Sequence, residues 1–174
     1  MIMNKILFTA FTIVSLLTSN AQELKSNLSL GIPVGDVSEG YNVNVNFEFV
    51  YLWDISNQVQ LGVVSGYSHF VGDSFEAQGL SLKVDDAGFL PLNATFRFNA
   101  TAKTALSLDL GYAFGLSPDG NSGGFTYAPK MYYHLDKSFD LYVSYKDIRV
   151  DGNAFSSICF GVEFNLWIFT YQNS

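Results

Sequence analysis

The chain of 174 residues has little sulfur, little proline and little charge: it contains one cysteine, four prolines and 14% charged residues. A single cysteine excludes a disulfide framework and a multi-cysteine zinc site. Four prolines against fifteen glycines exclude a proline-rich or collagen-like chain. Acidic residues outnumber basic ones by 16 to 9, and the net charge of −7 argues against a nucleic-acid partner. After the N-terminal segment, no apolar run is long enough for a membrane-spanning helix.

The N-terminus has the three parts of a secretory signal peptide. A short head ending at Lys5 precedes an apolar stretch over residues 6–17, and small residues lead to Ala21. Twelve apolar residues are too few to cross a hydrocarbon core about 30 Å thick. The residue after the expected cleavage site is Gln22, not the cysteine of a lipoprotein. We therefore interpret residues 1–21 as a cleavable signal peptide and residues 22–174 as one exported domain.

Strict alternation of apolar and polar residues over 41–53 predicts a long β-strand. The odd positions are aromatic or valine throughout, whereas the even positions begin with three asparagines and Glu48. Strands of soluble proteins usually run five or six residues. A strand that crosses a bilayer needs about 9 to 11. The length therefore favours a membrane-spanning strand.

The same periodicity recurs along the rest of the chain and predicts eight strands in all. They are residues 27–35, 41–53, 58–70, 87–98, 104–116, 125–135, 139–146 and 156–167. The connections alternate between short links (54–57, 99–103, 136–138) and longer links rich in Gly and Asp (35–40, 71–86, 117–124, 147–155). Short periplasmic turns and longer outer loops are typical of outer-membrane barrels. The predicted fold class is all-β, an eight-stranded antiparallel up-and-down transmembrane β-barrel.

The polar faces of the predicted strands carry charges of both signs. These residues are Glu48, Arg97, Asp109, Lys130, Lys146 and Glu163. A soluble lipocalin-like barrel turns its apolar face inward around a ligand. With lipid outside, the apolar faces are covered and the six charges meet in a narrow polar interior. We expect them to form a structural network in the lumen, because an unpaired charge there would be costly.

Aromatic residues gather near both ends of the predicted strands, which is typical of the two bilayer interfaces. The short-turn girdle comprises Trp53, Phe98, Tyr133, Phe139 and Trp167, and the long-loop girdle comprises Tyr41, Tyr67, Phe114, Tyr127 and Tyr145.

Several stretches resemble the small outer-membrane β-barrel proteins of Bacteroidota, which share the eight-stranded OmpA/OmpX-type architecture. The most telling are residues 30–41, 62–72, 85–98, 109–116 and 144–164. The resemblance spans the exported region and implies a fold and a location in the outer membrane. It carries over no catalytic residue. One departure is that Gln172, Asn173 and Ser174 follow the last aromatic, whereas such chains usually end on it.

No arrangement in the sequence predicts catalysis, a cofactor or a metal. Ser68 and His69 could form a nucleophile and base with Asp73 or Asp85, but adjacent residues of a strand point to opposite faces. The segment 119–124 resembles a calcium loop and lacks its spaced acids. We interpret Cys159 as a small interior side chain. The chain is therefore not expected to be an enzyme.

The sequence predicts a monomeric protein of the outer membrane, surrounded by its lipids and lipopolysaccharide, with a structural, surface-interaction or adhesion role through its extracellular loops. The acidic loops should disfavour anionic partners and attract divalent cations that bridge to lipopolysaccharide. Three alternatives remain: a narrow channel or porin-like protein, an outer-membrane lipid-modifying enzyme, and a secreted soluble lipocalin-like carrier. Eight strands leave little open lumen, so we expect little ion conductance.

Overall fold

A computed structural model of the chain describes residues 22–77 and 80–169, and the predicted signal peptide lies outside these residues. Ten strands make up nearly all of it. They are β1 (Gln22–Val34), β2 (Tyr41–Asp54), β3 (Val59–Gly72), β4 (Ser74–Ala77), β5 (Leu80–Lys83), β6 (Ala87–Asn99), β7 (Thr104–Ser117), β8 (Gly124–His134), β9 (Phe139–Val150) and β10 (Asn153–Phe169). A 3-10 helix, Gly35–Val37, follows β1. Among the described residues, no helix is long and apolar enough to span a membrane.

Eight of the strands close into a barrel in the order β1-β10-β9-β8-β7-β6-β3-β2. Every neighbouring pair is antiparallel, and pairing of β1 with β10 completes the wall. The eight-stranded up-and-down barrel predicted from the sequence is therefore confirmed. Strands of 11 to 17 residues match or exceed the length that a tilted membrane strand needs.

Two of the predicted long loops are wrong in detail, because the chain stays in strand conformation where we expected a link. The link over 147–155 is a two-residue turn, since β9 runs to Val150 and β10 begins at Asn153. Asp151 and Gly152 both have positive φ, at 47° and 88°, as a tight hairpin turn requires. The link over 71–86 contains a second hairpin, β4–β5, outside the barrel sheet.

Three prolines lie in barrel strands at places where the hydrogen-bonded ladder is interrupted or ends. The β3–β6 pairing skips from Ser65 to Ser68, opposite Pro91. The β8–β9 pairing skips the residues around Pro129 in the same way. Pro33 lies beyond the last β1–β2 pair, at Gly31. Proline has no amide hydrogen to donate, so each sits where its missing bond costs the wall least.

The barrel wall is apolar outside and polar inside. On β2, Phe47 and Phe49 are 44% and 47% exposed, whereas Glu48 between them is 2% exposed. The other barrel strands show the same alternation, with exposed large apolar side chains on every one of them. This is the reverse of a soluble barrel, in which water faces the polar side.

Candidate functional site

The lumen is open at the short-turn end, where three turns surround a cavity of about 650 Å³. We call this cavity the vestibule. Its ionisable lining residues include Lys25, Arg97, His134 and Asp140. The His134 Nδ1 lies 2.7 Å from an Asp140 oxygen, and Lys25 Nζ lies 3.5 Å from the other. The vestibule is therefore lined by groups that already contact one another.

Arg97 lines the vestibule and forms an ion pair with Glu163. The Arg97 terminal nitrogens donate to both Glu163 oxygens at 2.7 and 2.8 Å, in the bidentate geometry that matches a guanidinium to a carboxylate. Lys25 Nζ lies 3.3 Å from the same carboxylate. The guanidinium also stacks over the Tyr132 ring, 4.1 Å from its centroid. Both partners of this ion pair are fully buried.

The middle of the lumen contains a second ion network, built around Glu48. Lys130 and Lys146 donate to its two oxygens at 2.8 and 2.6 Å. Lys130 Nζ also lies 2.8 Å from Asp109. Lys130 comes from β8 and Glu48 from β2, so the network spans the lumen and ties opposite walls together.

All six charged residues that the sequence assigns to the lumen lie buried there, in two groups. Arg97 and Glu163 form the first group, and Glu48, Asp109, Lys130 and Lys146 form the second. Sequence reasoning missed Lys25 because it placed the start of β1 at residue 27. It missed Asp140 because it did not assign the second residue of β9 to the polar face. With these two, four cations face four carboxylates in the described interior.

On the long-loop side of the ion network lies a layer of small neutral polar groups. Asn46 links it to the charges, since Lys146 donates to its side-chain oxygen at 2.8 Å. Ser68 donates to the same oxygen at 2.7 Å, and Ser157 donates to Asn44 at 3.0 Å. Cys159 is fully buried in this layer beside Ser157, which places it in the interior as the sequence predicts.

The long-loop end of the lumen is filled by apolar side chains. We call this cluster the apolar plug. It consists of Tyr41, Phe70, Ala87, Phe89, Ala113, Ile148, Val150 and Phe155. Phe155 packs against Phe70 and Phe89 with ring centroids 5.4 and 5.0 Å apart. Phe70 and Phe89 are fully buried, so the packed rings exclude water from around them and fill this level of the lumen.

Most of the described aromatic side chains of the two predicted girdles lie on the outer wall, but one lies inside the barrel. Those with outward-facing, exposed rings are Tyr67, Phe98, Phe114, Tyr133 and Phe139, and those that are half-buried in the outer wall are Trp53, Tyr127 and Tyr145. Tyr41 instead packs inside against Phe70 and Phe155. A β-bulge between Tyr41 and Val43 adds one residue to the strand and turns this ring inward. The side chain of Trp167 lies outside those that the structure describes.

Ser68 and His69 do not form a nucleophile and base. Ser68 is buried in the lumen, whereas His69 lies on the outer wall, with its Nδ1 3.0 Å from the Tyr67 hydroxyl and its Nε2 3.2 Å from Asp86. Asp73 accepts instead from Asn42. The amide hydrogen bond from Gly72, together with the nearby His69, lowers the pKa of Asp86 below its usual 3.8.

The described part of the chain contains no cluster of protein ligands for a metal ion. No group of three or more His, Cys, Asp or Glu side chains there could hold a metal ion. In the segment 119–124, the Asn121 side chain accepts from the Gly123 amide and donates to the Ser117 carbonyl, as in a plain surface turn.

One acidic residue that we predicted in a loop belongs to the outer wall. Asp147 lies within β9 and is fully buried, although it shares the outward face with Tyr145. It accepts a hydrogen bond from Ser156 on β10. The Arg149 Nε donates to its other oxygen at 2.6 Å. The rim is therefore less acidic than the sequence suggested.

The barrel is similar in fold to solved membrane barrels. The attachment invasion locus protein Ail of Yersinia pestis matches 84% of this chain with 99% of its own, at 18% identity and a TM-score of 0.54. The de novo designed barrel TMB2.3 matches 86% with 98% of its own, at 10% identity and a TM-score of 0.55. A second designed transmembrane barrel matches 83% with 95%, at 12% identity and a TM-score of 0.53. No family model matches the sequence, and no curated protein matches it significantly.

Proposed function

We propose that the chain is an integral outer-membrane β-barrel protein with a closed lumen, and that its function is exerted at the cell surface by its long-loop end. The outward apolar wall supports the membrane location, because side chains such as Leu30, Ile32 and Phe160 are 60%, 64% and 61% exposed. A monomeric soluble protein rarely exposes so continuous an apolar surface. Lipid is the environment that would cover it on every side.

The observation that carries the surface role is the closure of the lumen. The apolar plug fills one end, and the middle is crossed by Lys130 and Lys146, both bonded to Glu48. A porin-like protein needs a continuous polar path instead. The barrel interior therefore supports a rigid scaffold and disfavours the channel alternative.

The long-loop end offers the surface for a partner. The β4–β5 hairpin lies there outside the barrel sheet, within the longest link between two barrel strands. Rigid scaffolds commonly carry binding residues on such loops. The related fold of Ail, whose name describes attachment and invasion, is compatible with an adhesion role of this kind.

The finer parts of the proposal rest on the sequence. A signal peptide over residues 1–21 directs export, the protein belongs with the small Bacteroidota barrels and acts as a monomer, and it has no enzymatic activity. The separation of Ser68 from His69 supports the last point, because it removes the nucleophile and base that the sequence offered.

Expression in a Gram-negative host tests the location. We expect the mature protein in the outer-membrane fraction after sodium carbonate washing, with a gel mobility that changes on heating. Recovery as a freely soluble exported protein would favour the lipocalin-like carrier.

Removal of the β4–β5 hairpin tests the surface role. The Val84 amide donates to the Asp73 carbonyl at 2.9 Å, so residues 74–83 can be replaced by a two-residue turn without opening the barrel. We expect normal membrane insertion and loss of the phenotype that the complete gene rescues in a deletion strain. Planar-bilayer recordings on the same two proteins should show no steady conductance. Full rescue by the shortened protein would place the function in the wall or lumen, and large steady currents would favour a channel.

A further inference from the structure

Asp147 and Arg149 of β9 form an ion pair on the outer wall near its long-loop end. Asp147 is fully buried, whereas 57% of the Arg149 side chain is exposed. The Ser156 hydroxyl holds one carboxylate oxygen, and the Arg149 Nε holds the other. The Tyr127 hydroxyl also contacts the guanidinium. Both oxygens of the Asp147 carboxylate are therefore engaged by its neighbours, while more than half of the Arg149 side chain stays exposed.

This pair is out of place on an apolar wall if its role is only structural. Burying a carboxylate is costly, and replacing a buried ion pair by apolar residues is often neutral or stabilising. Positions 141, 143 and 145 of the same outward face are Leu, Val and Tyr. Arg149 is held through Nε and is more than half exposed. A guanidinium held in this way can turn its planar fork of donors toward a phosphate, which it matches in geometry.

The depth of Arg149 matches the outer bilayer interface. Ten residue steps separate it from Phe139 at the short-turn end of the same strand. At about 3.3 Å per residue and a tilt of about 45°, these steps span about 23 Å along the membrane normal. The apolar band of an outer-membrane barrel is about 25 Å tall.

An aromatic surface extends from Arg149 toward the centre of the membrane. Phe125 pairs directly with Arg149 across the β8–β9 ladder. The ring centroids of Phe125 and Tyr127 are 6.3 Å apart, and those of Tyr127 and Tyr145 are 6.1 Å apart. A cation above such a surface complements a lipid, whose charged head lies at the interface and whose acyl chains lie below it.

We infer that Arg149 binds a phosphate group of an outer-leaflet lipid, with Asp147 and Ser156 as positioning residues and the ring surface of Phe125, Tyr127 and Tyr145 as the support for its acyl chains. This inference rests on the proposed membrane location. In this inference Arg149 of the barrel wall contacts the lipid phosphate directly, whereas the sequence suggested divalent cations that bridge the acidic loops to lipopolysaccharide.

Native mass spectrometry of the folded barrel in octyl glucoside tests the site with three probes: diphosphoryl lipid A, dephosphorylated lipid A and inorganic phosphate. We expect retention of diphosphoryl lipid A, at least tenfold weaker retention of the dephosphorylated form, and no retention of inorganic phosphate, since it lacks the acyl chains. Arg149→Gln should weaken diphosphoryl lipid A binding about tenfold, the equivalent of one lost charge-assisted pair. Arg149→Lys should recover only part of it, because lysine lacks the fork.

The matched control is Lys83→Gln, which removes an exposed cation of the long-loop end away from β9. It should bind diphosphoryl lipid A like the unmodified protein. Equal losses in the Arg149 and Lys83 variants, or no loss at Arg149, would overturn the inference. Retention of inorganic phosphate alone would show an anion site without a lipid. Heat-dependent mobility of each variant reports the folded barrel separately, so failure of the site leaves the membrane location independently tested.

Discussion

The two halves of the lumen are both filled by side chains, but one is filled by charged side chains and the other by apolar ones. The short-turn half, up to the middle of the lumen, contains the vestibule and eight charged side chains that pair with one another. The long-loop half is closed by the apolar plug. The vestibule opens to solvent, whereas the paired charges deeper in this half are buried and compensate one another. The plug excludes water, and its packed rings need no hydrogen-bond partners.

The comparison teaches that a polar interior need not be a passage. In the charged half, each described lysine and arginine of the lumen lies within 4 Å of a carboxylate, so no mobile ion is needed to balance them. In the apolar half, rings replace the charges altogether. The first half provides cross-links between walls, and the second provides the seal beneath the outer loops.

The largest effect is expected from breaking the charged half at Lys130. Lys130→Met leaves Asp109 without its cation and Glu48 with Lys146 alone. An uncompensated buried charge should lower the free energy of unfolding by about 3–5 kcal/mol. Urea titration of the barrel refolded in lipid vesicles measures this change.

The control for that variant is Lys103→Met in an exposed short turn. It removes the same charge and should change the free energy of unfolding by less than about 0.5 kcal/mol. A Lys130 variant as stable as the Lys103 variant would mean that the central network contributes nothing to folding.

A somewhat smaller effect is expected from the apolar half. Phe89→Ala removes a fully buried ring from contact with Phe70 and Phe155, which should cost about 3 kcal/mol through the cavity that it leaves. Phe89→Leu retains most of the volume and should cost less than half as much. The same urea titration measures both.

The conductance of these plug variants sharpens the comparison. Both should remain closed in planar bilayers, because Lys130, Lys146 and Glu48 still cross the middle of the lumen. Steady currents through Phe89→Ala would show that the plug alone closes the barrel and that the charged half is permeable.

The smallest effect concerns Asp86, which lies in a loop outside both halves. Its pKa is lowered first by the Gly72 amide hydrogen bond and then by His69. A carboxyl with a depressed folded pKa stabilises the fold above its unfolded pKa, here 3.8, and loses that contribution as pH falls through its lower folded value. We therefore expect weaker protection of the Gly72 amide only at pH below 3.8.

Hydrogen exchange of the Gly72 amide between pH 2 and 5 measures this loss after correction for the intrinsic rate. In Asp86→Asn the amide oxygen can still accept the bond and does not titrate in this range, so protection should not vary with pH. Loss of protection at the same pH in both proteins would assign it to general acid unfolding.

Much of this architecture could be predicted from alternation alone. The period of two around Glu48 fixes its face relative to Phe47 and Phe49, since successive strand residues point to opposite sides. The Asp151-Gly152 pair also carried a hairpin signal that the loop prediction overlooked. Tyr41 could not be assigned in this way, because a single extra residue in the strand reverses the face.

The sequence by itself determined the strands, their apolar and polar faces and therefore a barrel with lipid outside. Only the tertiary structure decided which interior residues meet. Lys130 reaches Glu48 across 82 positions of sequence, and Phe155 reaches Phe70 from the other end of the chain. The alternation is a property of each strand, whereas these contacts depend on the stagger and tilt with which eight strands close, and closure is a property of the whole sheet.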